Sequence, residues 1–176
     1  SVPGVAQAAG PMGEAVQHSF SRMTTQDIEA IAEYLRTVPA VSNNLERARH
    51  DWGKPATDVT ALRGKPIETT IDAARLYLGN CATCHQTDGR GTPDGYYPPL
   101  LHNSTVGARD TTNLVQVIMN GIERKAGDRH IGMPAFGREL SDAQLAALTN
   151  YVTRQFGDPA TPQLTADAIA KRRSGR

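Results

Sequence analysis

The stretch Asn80-Cys81-Ala82-Thr83-Cys84-His85 decides how the rest of this sequence is read. It holds the only two cysteines of the chain, two residues apart and followed directly by a histidine. Two thiols at this spacing serve a redox disulfide, half of a metal site, or the attachment of a haem. A structural zinc ion takes four ligands, normally from two such pairs. Here there is one pair with five scattered histidines, so zinc is disfavoured. A thioredoxin-type pair follows a strand in a βαβ unit, and no such context surrounds Cys81. A buried structural disulfide between positions three apart is an uncommon geometry. What remains is covalent haem attachment, in which each thiol adds to a vinyl group as a thioether and His85 is presented to the iron. A five-residue match can arise by chance, so the surrounding sequence has to support it.

Composition narrows the field. The chain has 176 residues, enough for one ordinary domain or a small domain with a large extension. With 39% hydrophobic and 21% charged residues it is globular in character. Nineteen basic and 18 acidic residues leave a formal charge of +1. That argues against nucleic-acid binding, which shows as a basic excess or a basic face. The one basic run, Lys171-Arg172-Arg173 with Arg176, is expected to be a solvated tail. No apolar run approaches the roughly 18 to 20 residues that span a bilayer. The opening "SVPGVAQAAG" lacks the basic flank and long apolar core of a signal peptide. The chain is therefore expected to be mature, processed or a fragment, and soluble as it stands.

Helical periodicity predicts five segments. Thr25 to Thr37 places Ile28, Ile31 and Leu35 on one face and ends before Pro39. Thr70 to Asn80 carries Ala73, Leu76 and Tyr77 at helical spacing and runs into the cysteine motif. Thr112 to Gly121 has an apolar face of Leu114, Val115, Ile118 and Met119, with Gly121 as a C-terminal stop. Ser141 to Phe156 opens with Ser141 and Gln144 at capping-box spacing. Ala166 to Arg172 is a weaker fifth. Strand signals are few, so the fold class is all-α. Between them, Val38 to Ile67 is polar, carries Pro39, Pro55 and Pro66, and reads as a linker draped over a surface. Gln86 to Arg109, rich in glycine and proline, is a loop long enough to pack against something or to carry function. "TTQDIEAIAEYLRT" (24–37) also lines up with "SDAQLAALTNYVTR" (141–154), pairing Ile28 with Leu145, Ile31 with Leu148 and Tyr34 with Tyr151. Two amphipathic helices agree this far by chance often enough that the repeat is only suggestive.

A haem iron held by one histidine needs a sixth ligand or an open position. Downstream, "HIGMPAFG" (130–137) sets Met133 between Gly132 and Pro134, outside any apolar periodicity. A methionine is more often core filling than a ligand. Its thioether is, however, a soft neutral donor that with histidine raises the iron potential, and Met133 is read as the ligand.

With these residues in place, positions 70 to 158 resemble a class I cytochrome c domain. Tyr77, four residues before Cys81, and Ala73, eight before it, sit where that family packs its first and last helices; Leu148 and Tyr151 answer them. Ala73 stands where the family usually has glycine. The resemblance implies that the carbonyl of Pro98, with Pro99 the neighbouring candidate, accepts a hydrogen bond from the ligand imidazole. More narrowly, "YYPPLLHNSTV", "MPAFGRELSDAQLAALTNYV" and "QFGDPATPQLTADAI" are similar to the C-terminal haem domain of multihaem cytochrome subunits. Such subunits serve membrane-bound periplasmic dehydrogenases of alcohols, sugars or sugar acids. On that likeness residues 10–39 resemble the closing half of a preceding haem domain, with Met12 (less so Met23) at its methionine position. No second Cys-x-x-Cys-His is present, so Met12 is expected to bind no iron.

The resulting expectation is a class I cytochrome c fold with an N-terminal helical extension and a long linker. Its divisions are 1–40 (helical remnant without haem), 41–66 (linker), 67–158 (monohaem domain) and 159–176 (tail). One covalent haem c is expected on Cys81 and Cys84, ligated by His85 and Met133. Tyr97, its neighbour Tyr96 and Arg109 are candidate partners of the haem propionates. His130, His102, His18 and His50 are read as surface histidines, and Trp52 as an anchor for the linker. The function implied is electron transfer without catalysis, in the periplasm, with peripheral association at the membrane. The partners implied are a dehydrogenase subunit and, beyond it, a quinone or oxidase. The rival is a haem enzyme or gas-binding sensor with a labile methionine.

Overall fold

In the computed structural model, residues 4–41, 47–57, 62, 66, 70–126 and 129–175 are described. Seven α-helices are formed among them: α1 Pro11–His18, α2 Thr25–Thr37, α3 Ala73–Asn80, α4 Ala82–His85, α5 Thr112–Asn120, α6 Asp142–Phe156 and α7 Ala166–Ser174. The helices begin where side chains can satisfy the free N–H groups of a first turn. The Ser141 hydroxyl accepts from Gln144 N at 3.2 Å, and Gln144 Oε1 accepts from Ser141 N at 2.9 Å, which closes a capping box on α6. Thr24 and Asp27 do the same for α2. Asp72 Oδ1 accepts from Arg75 N, so α3 starts at Ala73 rather than at Thr70. Helix α1 was not foreseen: it opens on Pro11, a residue preorganised for a first turn, but its apolar pattern is short.

The core forms around the crossing of α3 with α6. Tyr77 and Leu148 are fully buried, and the Tyr77 ring lies 5.5 Å from Tyr151 and 5.2 Å from Phe156. Burial of such side chains stabilises by about 1.5–3 kcal/mol each, so the helix leading into the cysteine motif is held firmly. Helix α5 adds Leu114, Val115, Ile118 and Met119, and α7 lays the buried Ile169 against α6.

One feature lies outside the all-helical expectation. Strands β1 Ile122–Ala126 and β2 Arg129–Met133 pair antiparallel, with Ile122 opposite Met133 and Ala126 opposite Arg129. Neither "IERKA" nor "RHIGM" alternates apolar and polar residues, so the pairing left no period-two signal. Met133, read as part of an irregular segment, is the last residue of β2. Helix α1 touches β1, where Lys125 N donates to Gln17 Oε1 at 3.2 Å.

Much of the 41–66 linker lies outside the described residues, as does Arg176. Residues 52–56 run along the core: His102 N donates to Trp52 O, Gln155 Nε2 to Lys54 O, and Ala56 N to Asp88 O. Trp52 is half-buried, with the Arg47 guanidinium 4.2 Å from the ring centroid. Helix α2 behaves differently from its repeat partner α6. Ile28 and Ile31 are 39% and 38% exposed, whereas Leu145 and Leu148 are 1% and 0%.

Candidate functional site

The cysteine motif is folded into one short turn of helix. Cys81 closes α3 and opens α4, and His85 N donates to Cys81 O at 2.9 Å. Residues three and four apart on a helix share a face, so Cys81, Cys84 and His85 present together. The two thiols are free and half-buried. Burial, reinforced by Cys84, pushes the Cys81 thiol up to about 12, opposite to the depressed value of a reactive redox thiolate.

His85 is buried, and its Nδ1 lies 2.8 Å from Pro98 O. A carbonyl only accepts, so Nδ1 carries the proton and Nε2 keeps its lone pair. Burial holds the imidazole below its ordinary pKa, against an opposing push from the Pro98 hydrogen bond. The ring is therefore neutral, as a metal ligand must be. The following residue, Gln86, has φ +65°, and its carbonyl accepts from the Tyr77 hydroxyl at 2.6 Å. This ties the motif back to the α3–α6 crossing.

Two adjoining hollows open beside this turn, and Gln7, Cys81, His85, Pro98, Ile122 and Met133 line both. Met133 reaches them from the end of β2, half-buried and packed against the apolar core. Its neighbouring segment is tied to α5, with Phe136 N on Ile118 O and Gly137 N on Met119 O, both at 3.0 Å. The remaining walls are mostly apolar: Leu100, Val106, Leu114, Val117 and Ile118 on one hollow, Phe136 on the other.

Of the residues singled out from sequence, Cys81, Cys84, His85, Tyr97, Pro98 and Met133 are brought together here, along with Tyr96. Tyr97 lies against Cys84, whose proximity raises the phenol pKa. Tyr96 stacks edge-on to Tyr97 at 4.8 Å and donates to His130 O at 2.9 Å. Arg109 is not on these walls. Its Nε donates at 2.7 Å to Asp158, which is 2% exposed, so the guanidinium serves a buried carboxylate. His130 is exposed and 3.0 Å from Glu123; His102 is exposed with Nδ1 on His50 O; neither lines the hollows. Met12 and Met23 are 56% and 37% exposed and also lie elsewhere. Gln7 was missed, because a lone polar residue 74 positions before Cys81 gives no local signal. The walls from α5 were legible as an apolar face, but not as walls of this site.

Among the described residues, no group of three or more His, Cys, Asp or Glu side chains is placed to hold a metal ion by itself. The donors that do converge are two thiols, a neutral imidazole and a thioether around an apolar space. That set fits a covalently attached haem: thiols for its vinyl groups, nitrogen and sulfur for its iron, and apolar walls for its ring.

Comparison with known proteins agrees. Residues 68–152 match the sequence model of the family described as "Cytochrome C oxidase, cbb3-type, subunit III". The chain is 39% identical, over 182 aligned positions, to the fructose dehydrogenase cytochrome subunit of Gluconobacter japonicus; the match covers 97% of this chain and 37% of the relative. It is 32% identical over 168 positions to the cytochrome c subunit of a quinone-linked alcohol dehydrogenase of Gluconobacter oxydans, covering 94% and 34%. A third match, 29% identical over 113 positions, is to cytochrome c-552 of Thermus thermophilus, covering 58% of this chain and 85% of the relative. The chain thus spans little more than a third of the length of the dehydrogenase subunits it resembles.

Proposed function

Given that residues 68–152 are a cytochrome c domain, whose family carries covalently bound haem c, we propose that this chain is an electron-transfer unit holding one such haem. Cys81 and Cys84 would form its thioether links, and His85 Nε2 and the Met133 thioether would hold its iron. The observation that carries this reading is the convergence of all four side chains on one apolar hollow, with His85 held by Pro98 in the tautomer that leaves Nε2 free. The bound group supplies a one-electron couple at the iron. The protein's part is to orient, to exclude water and to tune. The Pro98 carbonyl fixes the imidazole plane and makes it a stronger donor. The walls from α5 and Phe136 keep the surroundings of low polarity, which disfavours the more highly charged oxidised state and works with the thioether to raise the potential. Tyr97, beside Cys84 on the same hollow, would donate to a polar edge of the group.

Electrons would arrive from a dehydrogenase partner and leave toward a quinone or terminal oxidase on the periplasmic side. Support for this comes from the dehydrogenase cytochrome subunits among the relatives. No helix among the described residues is long and apolar enough to cross a membrane. Residues 1–40 fit the closing part of a preceding domain. Their α2 repeats the capping box and apolar spacing of α6, yet its Ile28 and Ile31 are 39% and 38% exposed.

Intact mass and optical spectroscopy test the core of the reading. The expected result is one haem per chain, a ferric thioether-to-iron charge-transfer band at long wavelength, and no spectral change when the reduced protein meets CO. Rapid CO binding by the reduced wild type would overturn the six-coordinate assignment and favour the gas-binding alternative; a colourless protein would sink every haem reading.

A further inference from the structure

The basic run near the C-terminus is not simply solvated. We propose that Arg173 is a positioning residue for Met133, bracing from behind the segment that carries the methionine. This rests on Met133 being the axial ligand. Arg173 is only partly exposed, with Nε 2.8 Å from Asp142 Oδ1, the first residue of α6. Its Nη1 donates to Gly137 O and its Nη2 to Leu140 O at 3.3 Å. One guanidinium thus ties both ends of the turn between Phe136 and α6, using the rigid fork that a lysine lacks. On its other side the same segment hangs from α5, through Phe136 N on Ile118 O and Gly137 N on Met119 O. Phe136 is three residues from Met133, and between them only Pro134 and Ala135 intervene, both exposed. Without Arg173 the segment would keep one anchor line instead of two.

Helix α7 is built to hold that arginine still. Ile169 is fully buried, and Thr165 Oγ1 caps the helix by accepting from Ala168 N. The strand of chain leading into it is clasped by Asn150, which donates to Leu164 O at 2.9 Å and accepts from Leu164 N at 2.8 Å. Arg172, its neighbour, donates to Ala168 O within α7 and faces the Asp110 carboxylate, and among the described residues it makes no hydrogen bond to the methionine segment. The tail residues therefore divide into one brace and its bystanders.

The test uses the haem-loaded chain as wild type, Arg173→Ala, Arg173→Lys and Arg172→Ala. It records the ferric charge-transfer band against temperature, CO binding to the reduced protein, and helix content by circular dichroism. Loss of charge-assisted hydrogen bonds is worth about a factor of ten or more in an equilibrium constant. Arg173→Ala should therefore lose the band well below its unfolding temperature and bind CO with an amplitude or rate raised about tenfold or more. Arg173→Lys should fall between it and the wild type, and Arg172→Ala should match the wild type. If Arg173→Ala keeps band and CO behaviour unchanged, the brace is wrong although Met133 remains the ligand. If the band disappears only together with the helix signal, Arg173 is a stability residue and the proposal fails. A wild type without the band removes the Met133 assignment and the brace together.

Discussion

Gly91 is the position where a single methyl group should reach His85, the proposed iron ligand, through the backbone. Its φ is +67°, and its N–H donates to His85 O at 2.9 Å. A Cβ placed there would lie 2.7 Å from Pro98 C and 2.8 Å from Pro98 O, and nearer still to Tyr97 O, whereas real Cβ atoms essentially never come within 3.0 Å of such atoms. Pro98 O is the acceptor for His85 Nδ1 at 2.8 Å, so relief of the collision must move the group that orients the imidazole. The left-handed conformation costs an L-residue about 1–2 kcal/mol, and overpacking about 1–3 kcal/mol. A total near 3 kcal/mol, at about 2–4 °C per kcal/mol for a chain of this size, lowers the melting temperature of Gly91→Ala by roughly 6–12 °C. A weaker imidazole–carbonyl bond makes the ring a poorer donor, favours the ferrous state and raises the potential. The shift should be on the order of tens of millivolts, since 59 mV is one decade for a one-electron couple. Gly95→Ala is the control: its φ is +69°, but a Cβ there meets nothing within 4 Å. It should show the conformational part of the destabilisation and no shift in potential. The measurements are thermal unfolding by circular dichroism and potentiometric titration of the haem-loaded variants. A Gly91→Ala protein with wild-type potential, or one indistinguishable from Gly95→Ala, would refute the link from Gly91 through Pro98 to His85.

Two further outcomes test other parts of the structure. The exposed Asp110 carboxylate is held below its ordinary pKa, chiefly by the hydrogen bond from Thr112 N at 2.9 Å as α5 begins. The unfolded chain binds this proton at a higher pH than the folded one, so the contribution is present above about 3.8 and is lost as the pH falls through the folded value. Asp110→Asn should therefore have a lower urea midpoint than the wild type at neutral pH, with the gap closing in acid; parallel curves would show that the carboxylate does not matter. On α2, Ile31→Glu should strongly reduce binding of a hydrophobic dye to the isolated chain without lowering its melting temperature, because Ile31 is 38% exposed and lies outside the core cluster of the described residues. A large loss of stability instead would mean that the α2 face is already covered.

Much of this protein could be read from short-range pattern. The Cys81–His85 spacing, the capping boxes at Thr24 and Ser141, and the apolar faces of α5 and α6 are local statements, because a helix places side chains by rules that run over three or four residues. Met133 stood out because Pro134 and Gly132 set it outside any helical period, and it lines the hollows beside the cysteine motif. Apart from the contacts that the family resemblance implied, what depended on distant residues meeting was not legible. The β1–β2 pairing has no alternating signal, Arg109 turns away to the buried Asp158, Gln7 arrives at the hollows from the far end of the chain, and Arg173 leaves the tail to hold Gly137 and Leu140.

The repeat shows where the division falls. By sequence, Ile28 and Ile31 of α2 are equivalent to Leu145 and Leu148 of α6, since amphipathic spacing records only that a helix has an apolar face. Whether that face is covered depends on a second surface brought against it: α6 meets Tyr77 of α3 and is buried, whereas Ile28 and Ile31 of α2 stay more than a third exposed. The sequence by itself determined the chemistry of the donors, two thiols, an imidazole and a thioether. The family resemblance had already named Pro98 as the partner of the His85 imidazole; the tertiary structure supplies that bond across 13 residues, and through α5 and β2 it brings Met133 to the same hollows. Donor chemistry is a property of single residues, whereas their convergence depends on which loops close and which faces are buried together.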